Sequence, residues 1–109
     1  IALQKQGNHI YASVLNNGVF LLNDEDNKWY PKNSGIGNLS KINIISFHSV
    51  NNVLYIGTSG DGIFKSTDAG KSWKNVGLNG YNVIALASDN QYIYAGTMNN
   101  GLFKAKFKE

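Results

Sequence analysis

Leu54-Tyr55-Ile56-Gly57-Thr58, followed by Asp61-Gly62-Ile63-Phe64, decides how this chain folds, because the sequence states it three times. Ile10-Tyr11-Ala12-Ser13 with Gly18-Val19-Phe20 precedes it, and Ile93-Tyr94-Ala95-Gly96-Thr97 with Gly101-Leu102-Phe103 follows. The aligned tyrosines Tyr11, Tyr55 and Tyr94 stand 44 and 39 residues apart, and the aligned glycines and phenylalanines keep those offsets. Short runs rich in Ile, Tyr, Val and Phe, bounded by turn residues, read as β-strands. Asn17-Gly18, Asp61-Gly62 and Asn100-Gly101 each fall between two such runs. Asn-Gly and Asp-Gly accept the positive φ of a tight reversal, so three two-residue hairpin turns are expected there.

A repeat of about 40 residues made of short strands is the signature of one propeller blade. Strand A is read at Ile1–Leu3, Ile44–Phe47 and Val83–Leu86; strand B holds the tyrosine, strand C the Gly-apolar-Phe run, and strand D Trp29 or Trp73. The order is A-B-C-D twice and then A-B-C. The expected architecture is therefore all-β: a β-propeller segment of about three four-stranded blades, at 1–43, 44–82 and 83–109, the last lacking its outer strand. Tyr11, Phe20, Trp29, Tyr55, Phe64, Trp73, Tyr94 and Phe103 are the expected core. The longer first repeat carries its extra residues in the D–A connection, Gly35 to Lys41, which is expected to be a surface loop and the first point of proteolysis.

Ser66-Thr67-Asp68-Ala69-Gly70-Lys71-Ser72-Trp73 joins strands C and D of the middle repeat. The Asp68 carboxylate can accept backbone N–H groups across such a turn, Gly70 can turn left-handed, and Ser66 and Ser72 can add hydroxyl bonds. Trp73 then anchors the outgoing strand. These eight residues resemble S-x-D-x-G-x-[ST]-W, the Asp-box of the bacterial neuraminidase (BNR) repeat. With the Tyr-Ile-Gly-Thr and Gly-Ile-Phe-Lys runs before it, the chain resembles Asp-box propellers of the sortilin, photosystem II assembly-factor and xyloglucanase types. The resemblance implies a fold more than a function, since those relatives include receptors, assembly factors and glycosidases. The first repeat keeps Asp24 and Trp29 but has Leu22, Asp26 and Lys28 in place of Ser66, Gly70 and Ser72. It reads as a degenerate box. A calcium loop beginning Asp24-x-Asp26 fails where Lys28 takes the third ligand position. The structural Asp-box set is thus Asp24, Trp29, Ser66, Asp68, Gly70, Ser72 and Trp73.

Composition narrows the function classes. The net charge of +3 comes from lysine alone, scattered except at Lys104, Lys106 and Lys108, and a nucleic-acid binder is not expected. With no cysteine and only His9 and His48, neither a disulfide nor a metal site is expected, and no cofactor is implied. No apolar run approaches the roughly 18 residues of a membrane span. The expected location is extracellular or periplasmic. Three blades fall short of the roughly four to eight in a closed ring. Either the remaining blades of a longer chain or a homo-oligomer is expected to close it; the start without methionine and the missing closing strand favour the first.

Antiparallel connectivity sorts the turns. A–B and C–D turns share one end; B–C turns and D–A connections share the other, which the resemblance implies is the ligand side. Asn16, Asn17, Lys41, Ser59, Asp61, Tyr81, Met98, Asn99 and Asn100 are the candidate binding residues there. Their amides, hydroxyl and aromatic ring suit a protein or a glycan. Catalysis finds less support. A glycosidase needs two facing carboxylates, about 5–9 Å apart. Of the seven acids only Asp61 reaches that end, and the arginines with which sialidases hold a substrate carboxylate are absent. The expected function is a non-catalytic interaction module; the alternative is a C-terminal piece of a propeller glycosidase, sialidase- or xyloglucanase-like, with its catalytic residues upstream.

Overall fold

A computed structural model describes residues 2–106. Among them nine strands follow in chain order: β1 Ala2–Gln6, β2 His9–Val14, β3 Gly18–Asn23, β4 Lys28–Pro31, β5 Ile44–Val50, β6 Val53–Ser66, β7 Lys74–Ser88, β8 Tyr92–Thr97 and β9 Leu102–Lys106. A single 3-10 turn, Leu39–Lys41, lies between β4 and β5. The strands make two antiparallel sheets, β1-β2-β3-β4 and β5-β6-β7-β8-β9, and no α-helix occurs among the described residues.

The second sheet is not a flat ribbon. Residues 53–58 of β6 pair with β5, whereas 59–65 pair with β7. Between these arms the Thr58 hydroxyl donates to the Gly62 carbonyl at 2.7 Å, a separation that fully extended backbone cannot bridge over four residues. β6 therefore doubles back on itself. β7 changes partner too, pairing with β6 up to Asn82 and with β8 from Val83. Although β5 and β7 are not neighbours in the sheet, the Ser46 hydroxyl donates to the Val83 carbonyl at 2.9 Å. His48 Nε2 lies 2.8 Å from Ser88 Oγ. The sheet folds over so that its two halves face each other.

Packing repeats with the sequence. One core cluster brings Tyr11 and Val19 of the first sheet against Leu54, Ile56, Phe64 and Trp73. The second brings their repeat equivalents, Tyr55 and Ile63, against Ala95, Ile93 and Phe103. The tyrosine-bearing face of one repeat thus rests on the Ile/Leu–Phe face of the next, twice. Burying such side chains supplies about 25 cal/mol per Å² of apolar surface, the main favourable contribution to folding.

Several expectations are corrected. The first B–C turn has a three-residue loop: Val14 pairs with Gly18, and positive φ falls on Asn16 (62°) and Gly18 (80°) rather than on Asn17. Gly60 with Gly62, and Asn99 with Gly101, repeat that pattern. Bonds from the Thr58 and Thr97 hydroxyls to the Gly62 and Gly101 carbonyls, both at 2.7 Å, close these two reversals across the glycine. A two-residue turn with both residues left-handed occurs elsewhere, at Asn51-Asn52, closed by Val50 opposite Val53.

The expected core also divides. Tyr11, Tyr55, Phe64 and Trp73 are buried, but Trp29 is 43% and Tyr94 36% exposed, while Phe20 and Phe103 are half-buried. Trp29 and Trp73 differ because their turns do. Asn23 pairs with Lys28 across four residues, which holds Trp29 in the ladder opposite Leu22. Lys65 pairs with Lys74 across eight, which leaves Trp73 free to turn inward. The Trp73 indole N–H donates to the Lys32 carbonyl at 2.7 Å, and its ring meets Phe47 edge-on. The connection at 35–41 is likewise no free loop. Ile36 is buried in the first cluster, the Trp73 backbone N–H donates to Ser34, and Gly35 packs so closely on the Trp73 carbonyl that no side chain fits there.

Candidate functional site

The turn at 66–73 is built around one carboxylate. Asp68 Oδ1 accepts the Ser66 hydroxyl at 2.8 Å and the Ser72 backbone N–H at 2.9 Å, and Oδ2 accepts the Ser72 hydroxyl at 2.5 Å. Ser66 Oγ in turn accepts the Gly70 N–H at 2.9 Å. Ala69 and Gly70 are both left-handed, with φ of 63° and 89°. Donors that favour the ionised form, the Ser72 hydroxyl foremost, hold the Asp68 carboxyl down at about 2. Tyr11 reaches across from the first sheet and donates its hydroxyl to the Ala69 carbonyl at 2.9 Å. All of this carboxylate's strong interactions serve the turn, which ties one sheet to the next.

The corresponding turn of the first repeat is assembled differently. Asn23 Oδ1 accepts the Glu25 N–H and Asp26 Oδ1 the Lys28 N–H, at 2.8 and 2.9 Å. Asp26 also accepts the Tyr30 hydroxyl. The left-handed residue is Asn27, with φ of 56°, and not Asp26 at the glycine position. Asp24, aligned with Asp68, therefore stands in a turn whose carboxylate bonds are made by Asp26.

Hydrogen bonds gather the B–C turns and D–A connections at one edge. Ser59 N–H donates to Asn43, Ser59 Oγ to Asn82 Oδ1, and Met98 N–H to Asn82, at 2.9, 3.2 and 3.0 Å. Asn33 Oδ1 accepts the Val19 N–H at 2.7 Å, and Asn33 and Leu39 close over Gly18 beside Asn16 and Asn17. Asn16, Asn17, Lys41, Ser59, Met98, Asn99 and Asn100 are exposed, and Asp61 is half-buried. Asp61 joins a small amide network, its carbonyl accepting Asn75 Nδ2, which also donates to Asn79. Tyr81, next to Asn82 in the chain, is half-buried, its ring stacked on Phe103 with centroids 5.3 Å apart.

Sequence reasoning passed over a second concavity. An open cleft of about 870 Å³ lies between the two halves of the folded sheet. Tyr55, Ile63, Ile93 and Phe103 line its apolar part, and Lys65 and Lys74, opposite each other on the Ile63 face, contribute charge. Its remaining polar lining is Thr67, Ser72 and Asn75, with no carboxylate or imidazole among the described residues. The available signal was Lys65, at a repeat position where the first repeat has Leu21.

At the far end of β8, Asp89 accepts the Tyr94 hydroxyl and the backbone N–H groups of Gln91 and Tyr92. The Tyr94 bond leads in holding the Asp89 carboxyl below the usual range, and Asp89 in turn raises the Tyr94 phenol. His48, drawn into the fold beside Ser88, is shifted down by burial. No group of three or more His, Cys, Asp or Glu side chains arranged to hold a metal occurs among the described residues. No protein-family model and no curated protein matches this chain.

Proposed function

We propose that this chain is a non-catalytic interaction module, a β-propeller segment with Asp-box turns that presents its B–C and D–A loops to a protein or glycan. The observation that carries this reading is the hydrogen-bonded loop edge. Ser59, Asn82 and Met98 are linked to one another there, and exposed amides and a lysine sit on turns whose backbone is already fixed. Preorganised polar groups on a rigid sheet recognise a ligand without paying a large ordering cost. The propeller reading draws support from the doubled packing of Tyr-bearing on Ile/Leu–Phe faces and from the carboxylate-centred turn at Asp68.

A glycan array probed with the chain, beside a triple variant Asn17→Ala/Lys41→Ala/Asn100→Ala at exposed positions whose φ is not left-handed, tests the reading. Binding lost in the variant with an unchanged urea midpoint is the expected result. Binding that survives the substitutions, or turnover of chromogenic glycosides, overturns it.

A further inference from the structure

One cross-strand pair of the second sheet departs from its repeat equivalent. Leu21 lies opposite Tyr30 in the first sheet, and the aligned residues of the second are Lys65 opposite Lys74. Leu21 packs on the first core cluster, whereas Lys65 is half-buried without apolar purpose for its charge and Lys74 is exposed. Like charges directly opposite in an antiparallel ladder repel, and a lysine is seldom drawn out of water without a partner. Phe64 faces the first cluster and Ile63 the second, so alternation along β6 turns Lys65 to the Ile63 side. Both lysines there border the cleft of about 870 Å³.

No carboxylate lines that cleft among the described residues. Asp68, in the turn between the two lysines, accepts its bonds from Ser66 and Ser72. The Ser72 hydroxyl is used in that bond, and Asn75 Nδ2 is donated to the Asp61 carbonyl and to Asn79. The two ammonium groups are therefore the donors left for a ligand. Beyond them the walls are apolar, Tyr55 and Ile63 from one half of the sheet and Ile93 and Phe103 from the other.

We infer that this cleft takes a small amphipathic carboxylate, its head at the Lys65 and Lys74 ammonium groups and its alkyl or aryl body on Tyr55, Ile63, Ile93 and Phe103. Its volume is that of a small-molecule site, which spans about 300–1,000 Å³. Charge complementarity selects the occupant. An apolar segment laid over the cleft would bury two like charges without compensation, whereas a carboxylate cancels their repulsion and still covers the apolar walls. The cleft shares none of the candidate loop-edge residues, so failure of either reading leaves the other standing.

Backbone-amide NMR titrations with octanoate and with 1-octanol, which has the same chain length and no charge, test the inference. Octanoate is expected to saturate and to shift Ile63, Lys65, Lys74, Ile93 and Phe103, with 1-octanol at least about tenfold weaker. Lys65→Gln/Lys74→Gln is expected to raise the octanoate dissociation constant about tenfold or more and to leave that of 1-octanol unchanged, which also shows that the cleft is intact. Lys74 is exposed, so Lys74→Gln alone carries the test if the double variant unfolds. Octanol binding as tightly as octanoate, octanoate binding unaffected by the lysine substitutions, shifts confined to residues outside the cleft, or no saturation would each overturn the inference.

Discussion

Tyr11, Tyr55 and Tyr94 are one residue by sequence and three by environment, which makes a tyrosine-to-phenylalanine series a sharp test of how the sheets are tied together. Tyr11 is fully buried, and its hydroxyl donates at 2.9 Å to a carbonyl 58 residues away, on a left-handed residue of the Asp68 turn. A net hydrogen bond contributes about 0.5–1.5 kcal/mol, and an acceptor left unsatisfied adds up to a further kcal/mol or two. Ala69 is only half-buried, so water can reach its carbonyl and the lower part of that range applies. Tyr11→Phe is therefore expected to cost about 1–2 kcal/mol. With a urea m-value of roughly 2 kcal/mol/M for a small domain, the midpoint falls by roughly 0.5–1 M. Tyr55 is buried too, but among the described residues its hydroxyl makes no hydrogen bond, so Tyr55→Phe should move stability by less than about 0.5 kcal/mol. Urea unfolding followed by tryptophan fluorescence measures both. Equal midpoints for Tyr11→Phe and the parent, or an equal loss for Tyr55→Phe, would refute the claim that the Tyr11–Ala69 bond ties the sheets.

Two further outcomes follow from single positions. Gly57 and Gly96 are aligned, but a Cβ at Gly57 would lie 2.7 Å from Val83 Cγ1 and 2.8 Å from its carbonyl, whereas one at Gly96 meets nothing nearer than 3.6 Å. Gly57→Ala should cost about 1–3 kcal/mol by overpacking and Gly96→Ala should be nearly silent in the unfolding of the monomer, with thermal melts as the measure. Asp68, with its carboxyl held at about 2 against an ordinary 3.8, binds fewer protons folded than unfolded between those values. Its contribution is complete above about pH 4 and is lost as pH falls through about 2, so Asp68→Asn should flatten that part of the acid limb of a urea-midpoint-against-pH curve. An acid limb unchanged by the substitution would contradict the hydrogen-bonded geometry of the turn.

What the sequence determined by itself was local. Strand runs, the places where the chain reverses and the ring of donors around Asp68 all depend on residues within a few positions of one another, and all can be read from Tyr-Ile-Gly-Thr, Asp-Gly and Ser66 to Trp73. The sequence also placed the B–C turns beside the D–A connections, because antiparallel order leaves no other arrangement. Turn type escaped it, since the left-handed residues fall on Asn16 or Asn99 and on the glycine two places later, with a hydroxyl–carbonyl bond from Thr58 or Thr97 closing the reversal. The fates of aligned residues escaped it as well. Trp29 and Trp73, or Tyr11 and Tyr94, carry the same local signals, yet one of each pair is buried and the other exposed. Burial belongs to a face and to whatever packs on it. For the inner faces that partner lies about 40 residues away in the chain, where no local signal can report it, whereas among the described residues Trp29 and Tyr94 stay largely uncovered. The lysine-lined cleft has the same origin, arising only when β7 changes partner and the sheet closes on itself.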